Sequence, residues 1–292
     1  MIQVKGVNKT FSSNQVLKGL DLTILPGQRI ALVGQNGSGK TTLIRCLLGL
    51  YHFEGDIVIF GTSIKKEREE ALKKIAFVPQ LPPALKNTVA EIISLTSELC
   101  EFNQEKVWPL ASELGLDLSR CMNKPFKELS GGMKQKLLIS LALAREPHLL
   151  IMDEPSANLD PQARAVFFRL LSKLPAKTTM LLTSHRVDEL SGIVTRVIEL
   201  DDGKITIDDI VESRDKDVLT EQHECLIALK KIPASVRTAL LQWSFTAEDP
   251  EELQWRGTVS SADSFRFHAT LTRWSGMIEG ISLNKKEEKE DL

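Results

Sequence analysis

Two stretches of this 292-residue chain carry residue types that suit phosphate chemistry. The first is "GQNGSGKTT", in which Gly34 and Gly39 flank four residues and Lys40 and Thr41 follow. Glycine lets the backbone curl until successive N–H groups point inward at phosphate oxygens. A lysine here neutralises β- and γ-phosphate charge, and a threonine offers its hydroxyl to Mg²⁺. The second stretch, "LLIMDE", ends an apolar run in Asp153 and Glu154. Two carboxylates at the carboxyl end of a buried strand lie where open α/β sheets place their ligand sites. Asp153 there would hold Mg²⁺ through water, and Glu154 would polarise an attacking water.

A third stretch raises a question. "LSGGMKQK" sets Ser130, Gly131 and Gly132 before a run of helix formers, which reads as another helix start shaped for an anion. One chain then carries two phosphate cradles.

The elements that must position these residues are legible in outline. "IQVKGV" and "GLDLTIL" alternate apolar and polar residues as half-buried strands do. "RIALVG" is a near-continuous apolar run feeding the glycine loop, and "TTLIRCLLGL" follows with helical spacing. "DIVIFG" and "KIAFVPQ" are further strands. Helical spacing dominates from about 85 to 145, in "VAEIISLTSELC" and "EKVWPLASELGL". Strands return at "HLLIMDE", "TTMLLTSH" and "VTRVIEL", with "DPQARAVFFRLLSKL" as a helix that Asp160 caps and Pro161 opens. Strands alternating with helices predict an α/β fold with a mainly parallel sheet covered on both faces.

Beyond "DDGKITIDD" the composition changes. "ESRDKD" reads as a linker. "HECLIALKKI", "ELQWRGTVS" and "IEGISL" read as strands, and "ASVRTALLQW" and "DSFRFHATLTRW" as helices, of a small α+β domain. "NKKEEKEDL" has no apolar anchor and reads as a disordered tail.

Composition excludes several classes. A formal net charge of -2 argues against a general nucleic-acid binder. Cys46, Cys100, Cys121 and Cys225 have no CxxC spacing, which argues against a metal knuckle or disulfide scaffold. His223 and Cys225 come nearest to a metal-ligand pair and read as strand packing. No signal-like stretch opens the chain, and no apolar run approaches the ~18 residues of a membrane span.

With these motifs in hand, the chain resembles the ATP-binding-cassette (ABC) family. "GQNGSGKTT", Gln80 in "FVPQ", "LSGGMKQK", "LLIMDE", "SANLD" and His185 in "TSH" stand in the family's order, over roughly residues 1–206. The resemblance implies a P-loop ATPase domain at 1–208 with a helical subdomain at about 85–145. A linker at 209–217, a small C-terminal domain at 218–283 and the tail at 284–292 would follow. It also answers the question of the second cradle. Two copies of the domain pack head to tail, and the signature of each caps the γ-phosphate held by the loop of the other.

Carried over residue by residue, the resemblance places ATP against Gly34, Asn36, Gly37, Ser38, Gly39, Lys40, Thr41 and Thr42. Ser130, Gly131 and Gly132 would contact it from the second chain, and Asp160 would couple the sites while capping its helix. Phe11 stands where the family more often has Tyr and would stack on adenine. Glu154, His185, Lys40 and Gln80 would be catalytic, with Thr41, Gln80 and Asp153 around Mg²⁺. One departure is Met133, where the family's signature most often has Gln; Gln135 follows two places on.

The function implied is ATP hydrolysis driving separate membrane permease chains, in the exporter-like branch, at the cytoplasmic face of the cell membrane. The expected partners are a second copy of the chain, the permease and a periplasmic or accessory protein, with no nucleic acid. One subgroup with this layout serves copper-site maturation of nitrous oxide reductase. Two further classes are a soluble cassette ATPase acting on ribosomes or DNA and a regulatory nucleotide-binding protein.

Overall fold

The computed structural model describes residues 1–184, 190, 192–210, 222–260, 267, 271, 274 and 276–285. The chain divides into two compact units, Met1–Glu212 and Ser213–Leu292.

The first unit opens with a hairpin of β1 (Ile2–Phe11) and β2 (Asn14–Ile24), followed by β3 (Arg29–Val33) and α1 (Lys40–Leu47). Next come β4 (Glu54–Ile59), β5 (Thr62–Ser63), α2 (Arg68–Lys73) and β6 (Ile75–Val78). Then follow α3 (Val89–Leu99), α4 (Val107–Glu113), α5 (Gly131–Ala144) and β7 (Leu149–Asp153). The unit closes with α6 (Pro161–Ser172), β8 (Thr179–Thr183), β9 (Arg196–Asp201) and β10 (Lys204–Ile210).

The central sheet runs in the order β10-β9-β3-β8-β7-β6. Its pairs are parallel from β9 to β6, and β10 is an antiparallel edge. Every residue of β7 and β8 is buried, which explains the apolar runs from Leu149 to Met152 and from Met180 to Leu182. The parallel strands direct the ends of β3, β6, β7 and β8 the same way, so the residues after Val33, Val78, Asp153 and Thr183 emerge at one edge.

The sequence predicts a single mainly parallel sheet. The structure adds a second, antiparallel one in the order β2-β1-β4-β5. Alternation identifies each strand but not its partner, and β1 pairs both with adjacent β2 and with distant β4. Ile2, Val4, Leu20, Leu22 and Ile57 from this sheet share one apolar cluster with Leu32, Leu43, Ile44, Leu47 and Ile198. That packing sets α1 against both sheets.

The helical stretch has its own apolar cluster, which includes Val89, Ile93, Val107, Phe126, Leu137 and Leu141. Its entry is a capping box. Thr88 N–H donates to Glu91 Oε2 (2.8 Å), and Glu91 N–H donates to Thr88 Oγ1 (3.2 Å).

The second unit contains β11 (Gln222–Leu229), α7 (Ala234–Gln242), β12 (Thr246–Ala247), β13 (Gln254–Ser260) and β14 (Ile278–Lys285). They form an antiparallel sheet ordered β12-β13-β11-β14. Cys225, Ile227, Val236, Leu240, Trp255 and Phe267 belong to its apolar cluster. Burial pushes the thiols of Cys46 and Cys225 up to about 11, so neither is a nucleophile at neutral pH. The linker expected at 209–217 and the tail expected at 284–292 lie outside the described residues, save for the ends of β10 and β14. Of the helix expected in "DSFRFHATLTRW", only Phe267, Leu271 and Trp274 are described.

Candidate functional site

The glycine loop bridges β3 and α1 through conformations that side chains resist. Gly34 has φ 145°, and an added Cβ would fall on the carbonyl oxygen of Leu200. Gly39 has φ 109° and is the N-cap of α1, with no side chain capping that helix start. The first N–H groups of α1 therefore face the cleft as an anion site. Gly34→Ala should lower both the melting temperature and nucleotide affinity, as read by thermal unfolding and nucleotide titration. A variant that binds and melts like the parent would contradict the steric argument.

Lys40 is only 8% exposed, and its Nζ donates to Gly34 O (2.7 Å) and Gln35 O (2.9 Å). Burial lowers its pKa, while Glu154 and Asp153 oppose that shift. A partly desolvated cation so placed attracts phosphate more strongly than one in water.

The carboxylates sit opposite. Asp153 is 3% exposed and accepts from Thr41 Oγ1 through Oδ2 (2.9 Å) and from Thr183 Oγ1 through Oδ1 (2.7 Å). Glu154 lies one residue past the strand with φ 50°, a left-handed conformation uncommon for a residue with a side chain. Its N–H donates to Thr183 Oγ1 (2.8 Å).

Of these groups, Gly39, Lys40, Thr41, Asp153 and Glu154 line a cleft of about 360 Å³, while Gly34 and Thr183 lie outside its lining. Asn36, Gly37, Gly39, Lys40, Thr41 and Thr42 form one wall, Gln80, Asp153 and Glu154 face them, and Asn14 and Val16 complete it. The Thr41 hydroxyl and the Asp153 carboxylate already meet there. An all-oxygen set of this kind fits Mg²⁺.

Residues 17–157 match the family model described as "ABC transporter". The chain is 35% identical over 232 residues to "Nod factor export ATP-binding protein I" of Rhizobium etli, covering 77% of this chain and 71% of that protein. The chain belongs to the ABC transporter ATP-binding family.

Other relatives agree. "Methionine import ATP-binding protein MetN" of Clostridium acetobutylicum is 34% identical over 215 residues, covering 70% of this chain and 67% of that protein. A solved "ATP binding subunit of ABC transporter" superposes with TM-score 0.67 at 26% identity, covering 73% of this chain and 90% of its own. A "post-hydrolysis state" of an ATP-binding cassette shares the fold at TM-score 0.66 and 24% identity, over 74% of this chain. The chain is thus the ATP-binding subunit of an ABC transporter, and an ATPase.

Several residues that the ABC resemblance singles out do not line the cleft. Ser130 starts α5 as its N-cap, and its Oγ accepts from Met133 N–H (3.2 Å). Ser130, Gly131, Gly132 and Asp160 are absent from the cleft wall. Asp160 caps α6, accepting from Ala163 N–H (2.8 Å), and pairs with Lys136 Nζ (2.9 Å). Both contacts hold its carboxyl below the usual carboxylate range, the backbone bond most.

Phe11 also stands outside the cleft lining. Its ring, 39% exposed, meets Tyr51 edge-on (5.2 Å between centroids) with Lys9 Nζ 4.5 Å from its centroid. Ser38 is buried beneath the loop, and its Oγ has no hydrogen-bond partner among the described residues. His185 lies outside the described residues.

Sequence reasoning missed Thr183, which bonds to both acids, although a hydroxyl ending a buried apolar strand was a usable signal. Asn14 and Val16 left none, because only the fold carries the β1–β2 hairpin to the loop.

Proposed function

We propose that this ATPase works as a head-to-tail homodimer enclosing two ATP molecules and drives substrate export through separate membrane permease chains. The observation that carries the reading is the exclusion of Ser130, Gly131 and Gly132 from the cleft that contains Lys40 and Glu154. The signature residues instead begin a preformed helix whose positive end suits an anion brought by another chain. A two-fold dimer makes such a contact reciprocal and gives two identical sites.

Within each site the phosphates lie against Gly34, Asn36, Gly37, Ser38, Gly39, Lys40, Thr41 and Thr42. Lys40 neutralises negative charge on them. Glu154 holds and polarises the water in line with the γ-phosphate, and takes its proton. His185 orients the same water, and Gln80 reports the γ-phosphate to the helical stretch. Thr41, Gln80 and, through water, Asp153 would hold Mg²⁺, which spreads the charge of the phosphate oxygens. Phe11 offers its exposed ring to adenine, and Asp160 joins the two sites across the interface.

Supports for the wider reading differ in kind. Export is the direction named for the Rhizobium etli relative. No described helix is long and apolar enough to cross a membrane. From the family we take the permease to be another polypeptide, with this chain peripheral at its cytoplasmic face. We assign catalysis to the domain at 1–208 and a separate role to the domain at 218–283, in keeping with the division into two compact units.

The test is the mass of Glu154→Gln in solution by light scattering. A dimer is expected with ATP and Mg²⁺ and a smaller species with EDTA or no nucleotide. A mass indifferent to nucleotide would overturn the ATP-enclosing dimer.

A further inference from the structure

The segment that follows the two carboxylates is fastened to the signature helix. Gln135 is wholly buried in α5, and its Nε2 donates to Pro155 O at 3.1 Å. One residue on, Lys136 Nζ meets Asp160 Oδ2 at 2.9 Å. Gly132 lies close enough to Asn158 that an added Cβ would sit 3.1 Å from its carbonyl oxygen. Residues 155–160 thus follow α5 along one face.

The Gln135 bond has a particular bearing on Glu154. A left-handed residue that is not glycine persists only where its surroundings over-determine it. On its amino side, Glu154 is held by its own N–H bond to Thr183 Oγ1, at 2.8 Å. On the carboxyl side comes Pro155, which has no N–H. Its carbonyl is the one backbone hydrogen-bonding group through which that residue can be held, and Gln135 takes it. The other end of the Gln135 amide, Oε1, has no hydrogen-bond partner among the described residues. An apolar side chain of similar size would remove that open acceptor but would leave the Pro155 carbonyl without its donor. The bond it donates to Pro155 O is thus the polar contact that the buried amide makes among the described residues.

We propose that Gln135 is a positioning residue for Glu154, acting through the Pro155 carbonyl to fix the left-handed turn that aims the carboxylate. The proposal rests on the reading of Glu154 as the group that polarises the attacking water. It also gives α5 two duties. Its first residues contact the nucleotide held by the partner chain, while Gln135 steadies the carboxylate that acts on this chain's own nucleotide.

The test measures kcat and KM for ATP in Gln135→Leu and Gln135→Met, each alone and combined with Glu154→Gln. Alone, each should lower kcat by about 10–100-fold, the scale of a small misplacement of a reacting group, with KM unchanged. In the Glu154→Gln background neither should reduce the residual single-turnover rate further, because the carboxylate it positions is gone. A general loss of packing would instead lower both backgrounds by the same factor, and that result overturns the proposal. So does parental kcat in a folded variant, or failure of both variants to fold, which would make Gln135 a core residue only. Parental turnover by Glu154→Gln alone would overturn the reading of Glu154 itself, separately from the Gln135 arm.

Discussion

Glu154→Gln is expected to lower ATP turnover by about 10²–10⁴-fold, the range that a positioned general base contributes. The change keeps the size of the side chain and the backbone N–H bond to Thr183 Oγ1. What it removes is a carboxylate able to take a proton from water. Binding at neutral pH should be preserved, since the glycine loop and Lys40 are untouched. A second effect follows from charge. Burial already lowers the pKa of Lys40, and the negative charge of Glu154 opposes that fall. Removing that charge lowers the Lys40 pKa further. Lys40 must be protonated to neutralise phosphate, so the alkaline limit of ATP binding should move to lower pH in the variant. Steady-state turnover and nucleotide titrations across pH check both parts. Parental turnover, or an alkaline limit moved upward, would contradict the assignment.

Ser130→Arg is the second large effect, because it reports on where each site gets its parts. A bulky cation at the start of α5 should abolish turnover, yet the same chain should bind ATP like the parent because Ser130 lies outside the cleft. Lys40→Ala should fail for the complementary reason. Mixed in equal amounts, the two inactive variants are expected to regain turnover. A mixed dimer joins the intact glycine loop of the Ser130→Arg chain to the intact signature of the Lys40→Ala chain. With random pairing and independent sites, the mixture should approach about a quarter of the parental rate, since half the dimers are mixed and half their sites are whole. Continued inactivity of the mixture, or parental turnover by Ser130→Arg alone, would overturn the shared site.

How far the sequence could be read depended on how local each signal was. Gly34, Gly39, Lys40 and Thr41 were legible because one loop between one strand and one helix supplies them all. Asp153 and Glu154 were legible because a buried strand runs straight into them, and Asp160 because its cap reaches only to Ala163.

What escaped was set by long-range pairing. The antiparallel sheet was hidden because β1 meets β4 across more than forty intervening residues, from Phe11 to Glu54. The edge strand β10, "KITIDDI", is not among the strands that the sequence predicts, and its charged residues face solvent. Gln135 looks like an ordinary polar helix residue until the fold brings Pro155 against it. Phe11 shows the reverse case. Its position in the motif order was plain, but its edge contact with Tyr51 depends on how the hairpin folds back.

The separateness of the apolar clusters has a thermodynamic consequence. The cluster around α1 joins the central and antiparallel sheets, that of the helical stretch is built from 89–144, and that of the second unit from residues after 222. Chains assembled this way need not unfold in one all-or-none step. A ligand stabilises only what must be folded to bind it. Energy gained at the glycine loop therefore accrues first to the cluster that includes Leu43, Ile44 and Leu47 of α1. The cluster of Trp255 and Phe267 contains no residue of the glycine loop or of α1, and differential scanning calorimetry with and without ATP would show whether it melts with the first unit or apart from it.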